Sequence, residues 1–265
     1  MGVTSHKPRV SVIMPCRNAE QYLSSSVASV LQSTFEDFEL IIIDDASTDE
    51  SCRIQRNFAK SDARIRLLES GQRMGPGTLR QQGLSVARGT FVAFVDADDI
   101  WAPEKLESQM LRLETEEADI VASEAYYLDK RDACLGTFRL PKTVSYESLL
   151  KRCEIVNSSV VIRKSLFDNV SYSNNWLSSD YATWLRLTRI HRLQIEILPK
   201  TLTGVRIHSK SHSASARWRK LAGHWSIIRA EGQSFIRTAV SLSAHIAYSA
   251  NKQTAFLWRS LCLRR

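Results

Sequence analysis

The stretch that decides the fold is ARGTFVAFVDADDIWAPEKL, residues 87–106. A short run of β-branched and aromatic residues, 91–95, leads directly into three carboxylates, Asp96, Asp98 and Asp99. The run has the length and composition of a buried strand. Three similar runs precede it, at 10–14, 38–43 and 65–68. Their starts lie roughly 27 residues apart, which leaves room for a crossover helix between each pair.

The intervening segments carry helical periodicity. Residues 20–33 space Tyr22, Leu23, Val27, Val30 and Leu31 along one face. Residues 48–59 follow Ser47, an expected N-cap, with Asp49 and Glu50 in the first turn. Residues 78–87 end before Gly89, an expected C-cap. Strands alternating with helices predict an α/β fold with a parallel sheet covered on both faces. Ligands of such sheets bind at the carboxyl ends of the strands. Downstream, the pattern predicts a helix from 103 to 117, strands and turns over 119–138, and a short helix at 146–152. A strand at 159–163, a helix at 180–190 and strands at 193–198 and 202–207 follow.

The four strand ends carry the chemistry. The acids after 91–95 repel one another unless something compensates. A hard divalent cation, Mg²⁺ or Mn²⁺, suits an all-oxygen site of this kind. Capping of the next helix is the plain alternative. Asp44 and Asp45 follow the second run; either caps a helix or accepts a hydrogen bond from a nucleobase. Pro15, Cys16, Arg17 and Asn18 follow the first, and Arg17 suits stacking on a base or pairing with phosphate. Arg80 lies on the helix after the loop 71–77. A parallel sheet brings these four ends to one edge.

The net charge of +8 is unevenly spread. Residues 214–265 hold nine basic residues and one acid, Glu231, so the excess sits there and the rest is balanced. Concentrated basic charge points to an anionic partner. Leu221, Trp225, Ile228, Phe235, Ala239, Leu242 and Ile246 fall near one helical face of this tail. That face either packs on the domain or lies on a membrane surface. The five cysteines are scattered with no CxxC, as in a protein of reduced thiols. Residues 1–9 lack the apolar core of a signal peptide, and no stretch nears the roughly 18 apolar residues of a membrane span. The expected location is the cytoplasm, peripheral on the cytoplasmic face of a membrane.

Three segments together resemble the family 2 glycosyltransferases, which have the GT-A fold: VSVIMPCRNAEQYL (10–23), SVLQSTFEDFELIIIDDASTD (29–49) and residues 87–106. Weaker matches are SSDYATWLRLTR (178–189) and VRIHSKS (205–211). The resemblance implies a Rossmann-like, mostly parallel sheet over 1–213. Its nucleotide-sugar-binding half would be 8–106 and its acceptor half 107–213, with 214–265 a basic helical tail. Asp45, beside Asp44, is similar to the acid that binds the base. Asp96 and Asp98 form the DxD motif; Asp98 would hold the metal bridging the donor diphosphate, and Asp96 would touch the ribose or sugar. Arg80 resembles the basic residue near the nucleotide, and His208 the late histidine that reaches the metal or diphosphate. Pro15 and Arg17 would line the nucleotide site.

The family's base lies in a Glu-Asp pair opening a helix. Here the pair is Ser179-Asp180, so the glutamate is missing and Asp180 remains as the implied general base. Asp180 also reads as an ordinary first-turn acid. Trp176, beside Asn174 and Asn175, is the candidate for stacking on the acceptor, and Trp184 reads as core. The implied reaction is transfer of a sugar from a nucleotide-diphosphate donor, UDP by family habit, to an acceptor hydroxyl with inversion. The implied setting is O-antigen or capsule assembly on a saccharide or lipid-linked saccharide.

Rival readings fit less well. No GxG follows the first strand, and there is no Walker A motif. His208 and His212 lack a second ligand pair for zinc. A nucleotidyltransferase would want a Gly-rich basic loop where 15–22 stands. A non-catalytic module keeping the fold would be free to lose Asp98 or Asp180, and both are present. Nucleic acid is not the expected partner of the tail, although aromatic residues interleave its basic ones; an anionic lipid surface suits the resemblance better.

Overall fold

The computed structural model describes residues 7–115, 118–152, 155–175, 178–207 and 217–247. Four parallel strands form first: β1 (Val10–Cys16), β2 (Phe38–Asp45), β3 (Ile65–Ser70) and β4 (Phe91–Phe94). Between them run α1 (Leu23–Leu31), α2 (Ser51–Ser61) and α3 (Pro76–Val86). Then come β5 (Ile100–Trp101), α4 (Lys105–Glu114), β6 (Ile120–Leu128), β7 (Cys134–Phe138) and β8 (Thr143–Val144). The chain continues through α5 (Tyr146–Lys151), β9 (Val160–Arg163), α6 (Ser179–Ile190), β10 (Ile195–Arg206) and α7 (Arg217–Ala230). A last helix, α8, covers 235–247.

All the strands join one sheet whose main order is β3-β2-β1-β4-β9-β6-β10-β5. β9 runs antiparallel to both β4 and β6, while β10 runs parallel to β6. The first four strands, β6 and β10 therefore share one direction, and their carboxyl ends share one edge. β1, β2 and β4 are buried almost throughout, as expected of strands with helices on both faces. Two apolar clusters lie on the two faces: Ile13, Ile41, Phe94 and Trp184 belong to one, Val12, Leu40, Ala93 and Leu106 to the other. Alternate residues of one strand thus serve opposite cores.

Some sequence expectations require correction. Ser47 does not cap α2; its hydroxyl accepts the amide of Asn18, and α2 starts at Ser51 without an acid in its first turn. Gly89 does not cap α3, which ends at Ala87 in an extended conformation. A Cβ at Gly89 would lie 2.6 Å from the Ser11 amide nitrogen, so close backbone packing explains the glycine. The two strands expected at 193–198 and 202–207 are one strand, β10, with register shifts between Leu198 and Thr203. Pro199 lies in that interval and has no N–H to give to a ladder.

The tail from 217 is partly built into the domain. Ile227 and Ile228 of α7 enter the larger core cluster. Buried Glu231 pairs with Arg186 and Arg189 of α6. In α8 the face read from sequence is divided, with Ala239 and Leu242 half-buried and Phe235 and Ile246 exposed. Thr238, Ser241 and His245 point inward, whereas Phe235, Ile236, Val240 and Ile246 are exposed. The surface it meets is a hydrogen-bonding one: the Tyr181 hydroxyl lies 3.1 Å from His245 Nε2, and Arg237 holds both oxygens of Glu147. Burial first, and His224 second, push the His245 pKa down to about 4. Among the described residues no helix is long and apolar enough to cross a membrane.

Gly89→Ala should lower stability by about 1–3 kcal/mol, the usual cost of overpacking a closed site. Urea unfolding monitored by circular dichroism measures it.

Candidate active site

The loops after β1 and β2 are laced together. Arg17 Nη1 donates to the carbonyls of Asp45 (2.5 Å) and Ala46 (3.3 Å). Asn18 Oδ1 accepts the Thr48 amide, and Ser51 Oγ accepts that of Ala19. Asn18 and Ala46 both adopt positive φ, 46° and 52°, so each strand turns sharply at its end. Ala46 has no side-chain hydrogen bond to ease that conformation; the lacing holds it. Pro15 sits within β1, half-buried opposite Ile43.

Asp44 and Asp45 are both buried. Asp44 accepts from the Ser47 amide and from Gln55 Nε2, at 2.8 and 3.0 Å. Asp45 accepts from the amides of Met74 (2.5 Å) and Gly75 (3.1 Å). Its carboxylate thereby shapes the loop that opens α3, where Gly75 takes φ 84° and Pro76 begins the helix.

α3 aims Arg80 at the centre of the edge. The guanidinium is buried and donates to Asp96 Oδ1 (2.5 Å) and to Ser179 Oγ (3.3 Å), at the start of α6. It also lies 5.5 Å from the centroid of Tyr172, whose hydroxyl donates to Asn157 Oδ1. Gly77 lets this strap of chain cross α3, since a Cβ there would fall 2.2 Å from the Ser173 carbonyl oxygen.

Asp96 and Asp98 are half-buried, and Asp99 is buried. Ser158 links the two ends of the motif: its hydroxyl accepts the Asp96 amide and donates to Asp99 Oδ2. Burial, then the charges of Asp98 and Asp96, hold Asp99 well above the usual carboxylate range. Asp180 stands in the first turn of α6 and accepts its neighbour's amide, that of Tyr181. Burial raises its pKa most strongly, Arg80 opposes, and Asp96 adds to the rise.

The structure brings Arg80, Asp96, Ser179 and Asp180 into one cluster, and joins Arg17, Asp44 and Asp45 to it through the 71–75 loop. Trp176 and His208 lie outside the described residues. Trp184 is buried core. Tyr172 and Arg206 were not singled out from sequence. A lone arginine in the alternating run 202–207 was the available signal for Arg206; Tyr172 left none.

The sequence matches the profile of glycosyl transferase family 2 over residues 11–134. It is 31% identical over 219 residues to the UDP-Glc:alpha-D-GlcNAc-diphosphoundecaprenol beta-1,3-glucosyltransferase WfgD of Escherichia coli, covering 83% of this chain and 85% of that one. It is also 31% identical to the putative teichuronic acid biosynthesis glycosyltransferase TuaG of Bacillus subtilis, covering 86% of this chain and 90% of TuaG. The fold is shared with S. aureus TarS in complex with UDP-GlcNAc, at TM-score 0.63, 19% identity and coverage of 83% of this chain and 65% of that one. It is shared too with the mannosyltransferase PcManGT of Pyrobaculum calidifontis in complex with GDP-Man and Mn²⁺, at TM-score 0.65, 18% identity and coverage of 96% and 72%. The fold and its carboxylate-lined strand edge define a GT-A glycosyltransferase. The chain belongs to glycosyltransferase family 2.

A raised carboxyl pKa has a defined signature in stability. Native Asp180 resists ionisation more than unfolded Asp180, so its destabilising effect is absent below about pH 3.9 and grows as pH rises to the folded pKa. Asp180→Asn, always neutral, should match the wild type at low pH and exceed it in stability at pH 7. Urea midpoints across that range measure the gap.

Proposed function

We propose that this chain transfers a hexose from a UDP-sugar to a hydroxyl of a lipid-linked saccharide, inverting the anomeric centre, during assembly of a cell-surface polysaccharide. The observation that carries the proposal is the Arg80 bridge, which holds Asp96 of the DxD motif and the start of the Asp180 helix against one another. A donor-side carboxylate and a candidate base are thereby fixed on one edge.

The residues fit a divalent cation shared with a diphosphate. Asp96, Asp98 and Asp99 concentrate carboxylates at the end of β4, where burial first, and the charges of Asp98 and Asp96 after it, suppress ionisation of Asp99. Among the described residues no group of three ligands forms a closed cage. One or two carboxylates completed by substrate phosphates is the usual Mg²⁺ arrangement. Asp98 would hold the cation, with His208 as a further ligand. A bound Mn²⁺ or Mg²⁺ supplies neutralisation of the charge that builds on the departing diphosphate.

The chain's own residues do the rest. Asp45 shapes the base pocket through the 74–75 amides, flanked by Pro15, Arg17 and Asp44. Asp96 faces the ribose or sugar. Asp180 takes the proton of the acceptor hydroxyl as its oxygen attacks the anomeric carbon. Burial raises the pKa of Asp180 and so makes it a stronger base than a free aspartate, and Arg80 opposes that rise. Trp176 would stack on the acceptor. A UDP donor and a lipid-linked acceptor are supported by the relatives named above, WfgD above all.

A lipid-linked acceptor places the work at the cytoplasmic face of a membrane. The exposed row Phe235, Ile236, Val240 and Ile246 supports contact with it, and the segment that carries the row, 214–265, also carries the net positive charge of the sequence.

Three measurements test this reading. UDP with Mn²⁺ should raise the melting temperature, and Asp98→Ala should abolish the rise; no rise with any nucleoside diphosphate leaves only a binding module with this fold. Arg80→Gln should shift the acid limb of the transfer-rate profile to higher pH, because Arg80 lowers the Asp180 pKa. The protein should float with phosphatidylglycerol vesicles and not with phosphatidylcholine ones. Loss of flotation in Phe235→Ser/Ile236→Ser/Val240→Ser would assign the contact to α8.

A further inference from the structure

Arg206 has no part in the reaction described above, yet its side chain is held from several sides behind the DxD turn. It ends β10, on the edge where β4 and β6 also end. Only 2% of the residue is exposed. Its Nε donates to the main-chain carbonyl of Asp98 at 3.0 Å. Its own amide donates to Asp99 Oδ1 at 3.2 Å. Nη1 donates to the Asp129 carbonyl at 3.2 Å and forms an ion pair with Asp132. The guanidinium carbon lies 4.4 Å from the centroid of Tyr22, in the loop after β1.

Three separate pieces of chain therefore meet on one cation: the DxD turn, the β6–β7 hairpin and the β1 loop. Simple core filling does not explain it. A buried arginine is costly, and Nη2 is buried with no hydrogen-bond partner. The fork geometry of arginine explains it better, because it sets several groups at fixed mutual angles. The hairpin is built to meet it: Asp129 Oδ1 accepts the amides of Arg131 and Ala133, and Asp132 takes φ 65°. That left-handed conformation turns the Asp132 carboxylate back onto Arg206.

We infer that Arg206 is a positioning residue for Asp98, and that the 129–132 hairpin anchors it. By gripping the Asp98 carbonyl, Arg206 sets the angle at which the neighbouring carboxylate meets the cation and donor diphosphate. This rests on the reading of Asp98 given above. Groups that orient a metal ligand commonly change metal affinity about 10–100-fold when removed.

The test uses Asp132→Asn beside Arg206→Lys in the full chain. Asparagine keeps the size of Asp132 and tolerates its positive φ, so only the charge is lost. Free Mn²⁺ is titrated by electron paramagnetic resonance with UDP present, and the melting temperature is measured without metal. The expected result is a melting temperature close to wild type for Asp132→Asn, with Mn²⁺ affinity weakened about tenfold. The donor KM should rise at limiting Mn²⁺ and recover at excess, with kcat retained. Arg206→Lys should weaken Mn²⁺ binding further. Unchanged Mn²⁺ affinity in both variants overturns the inference alone. Weakening that only tracks a lowered melting temperature overturns it too. Wild-type protein that binds no Mn²⁺ with UDP overturns the diphosphate reading and this one together.

Discussion

The structure turns on one buried cation. Arg80 reaches Asp96 at the end of β4 and Ser179 at the start of α6, residues 16 and 99 positions away in the chain. Arg80 is buried and Asp96 half-exposed, so removing the carboxylate would strand the guanidinium, while solvent at Asp96 keeps the cost below the roughly 3–5 kcal/mol of a fully buried pair. The surroundings serve that contact. Asp45 orders the 74–75 loop so that α3 starts at Pro76, Gly77 admits the 173–174 strap, and Tyr172 covers the guanidinium. Without Arg80 the acids of the DxD turn and Asp180 would face one another uncompensated.

The charge balance of the site is set against its stability. Asp99 and Asp180 both have carboxyl groups held above their ordinary values, chiefly by burial, and Asp96 adds to each. A fold built for stability alone would not bring these acids together. The strain is local, because Ser158 and the Arg206 amide satisfy Asp99 while its charge is suppressed. These acids leave negative potential concentrated at the end of β4.

Much of this was legible in sequence, for identifiable reasons. Strands β1 to β4 are continuous apolar runs, and buried parallel strands announce themselves that way; their starts at Val10, Phe38, Ile65 and Phe91 agree with the reading. The meeting of Arg80 and Asp96 at one edge followed from strand direction, whereas Asp180 entered through the family resemblance. What was not legible depended on partners far away in the chain. Ser47 looked like a cap, but the loop of Asn18 claimed it. Gly89 looked like a terminator, but the nearness of Ser11 required it. Periodicity in α8 marked an apolar face without saying whether that face turns in; polar contacts to Glu147 of α5 and Tyr181 of α6 leave Phe235 and Ile246 exposed. Arg206 gave no clue to its three partners, which lie up to 184 positions away and meet only when the sheet closes.

The place of β9 has a further consequence. This strand comes late in the chain, yet it is the only bridge between β4 and β6 among the described strands. The sheet is therefore continuous only when the chain beyond residue 159 is present. A fragment ending at residue 134, where the family match stops, would carry β4 and β6 with their inner edges unpaired. Bare edges of apolar strands invite pairing with other chains. Truncated products of its gene would therefore be prone to aggregate.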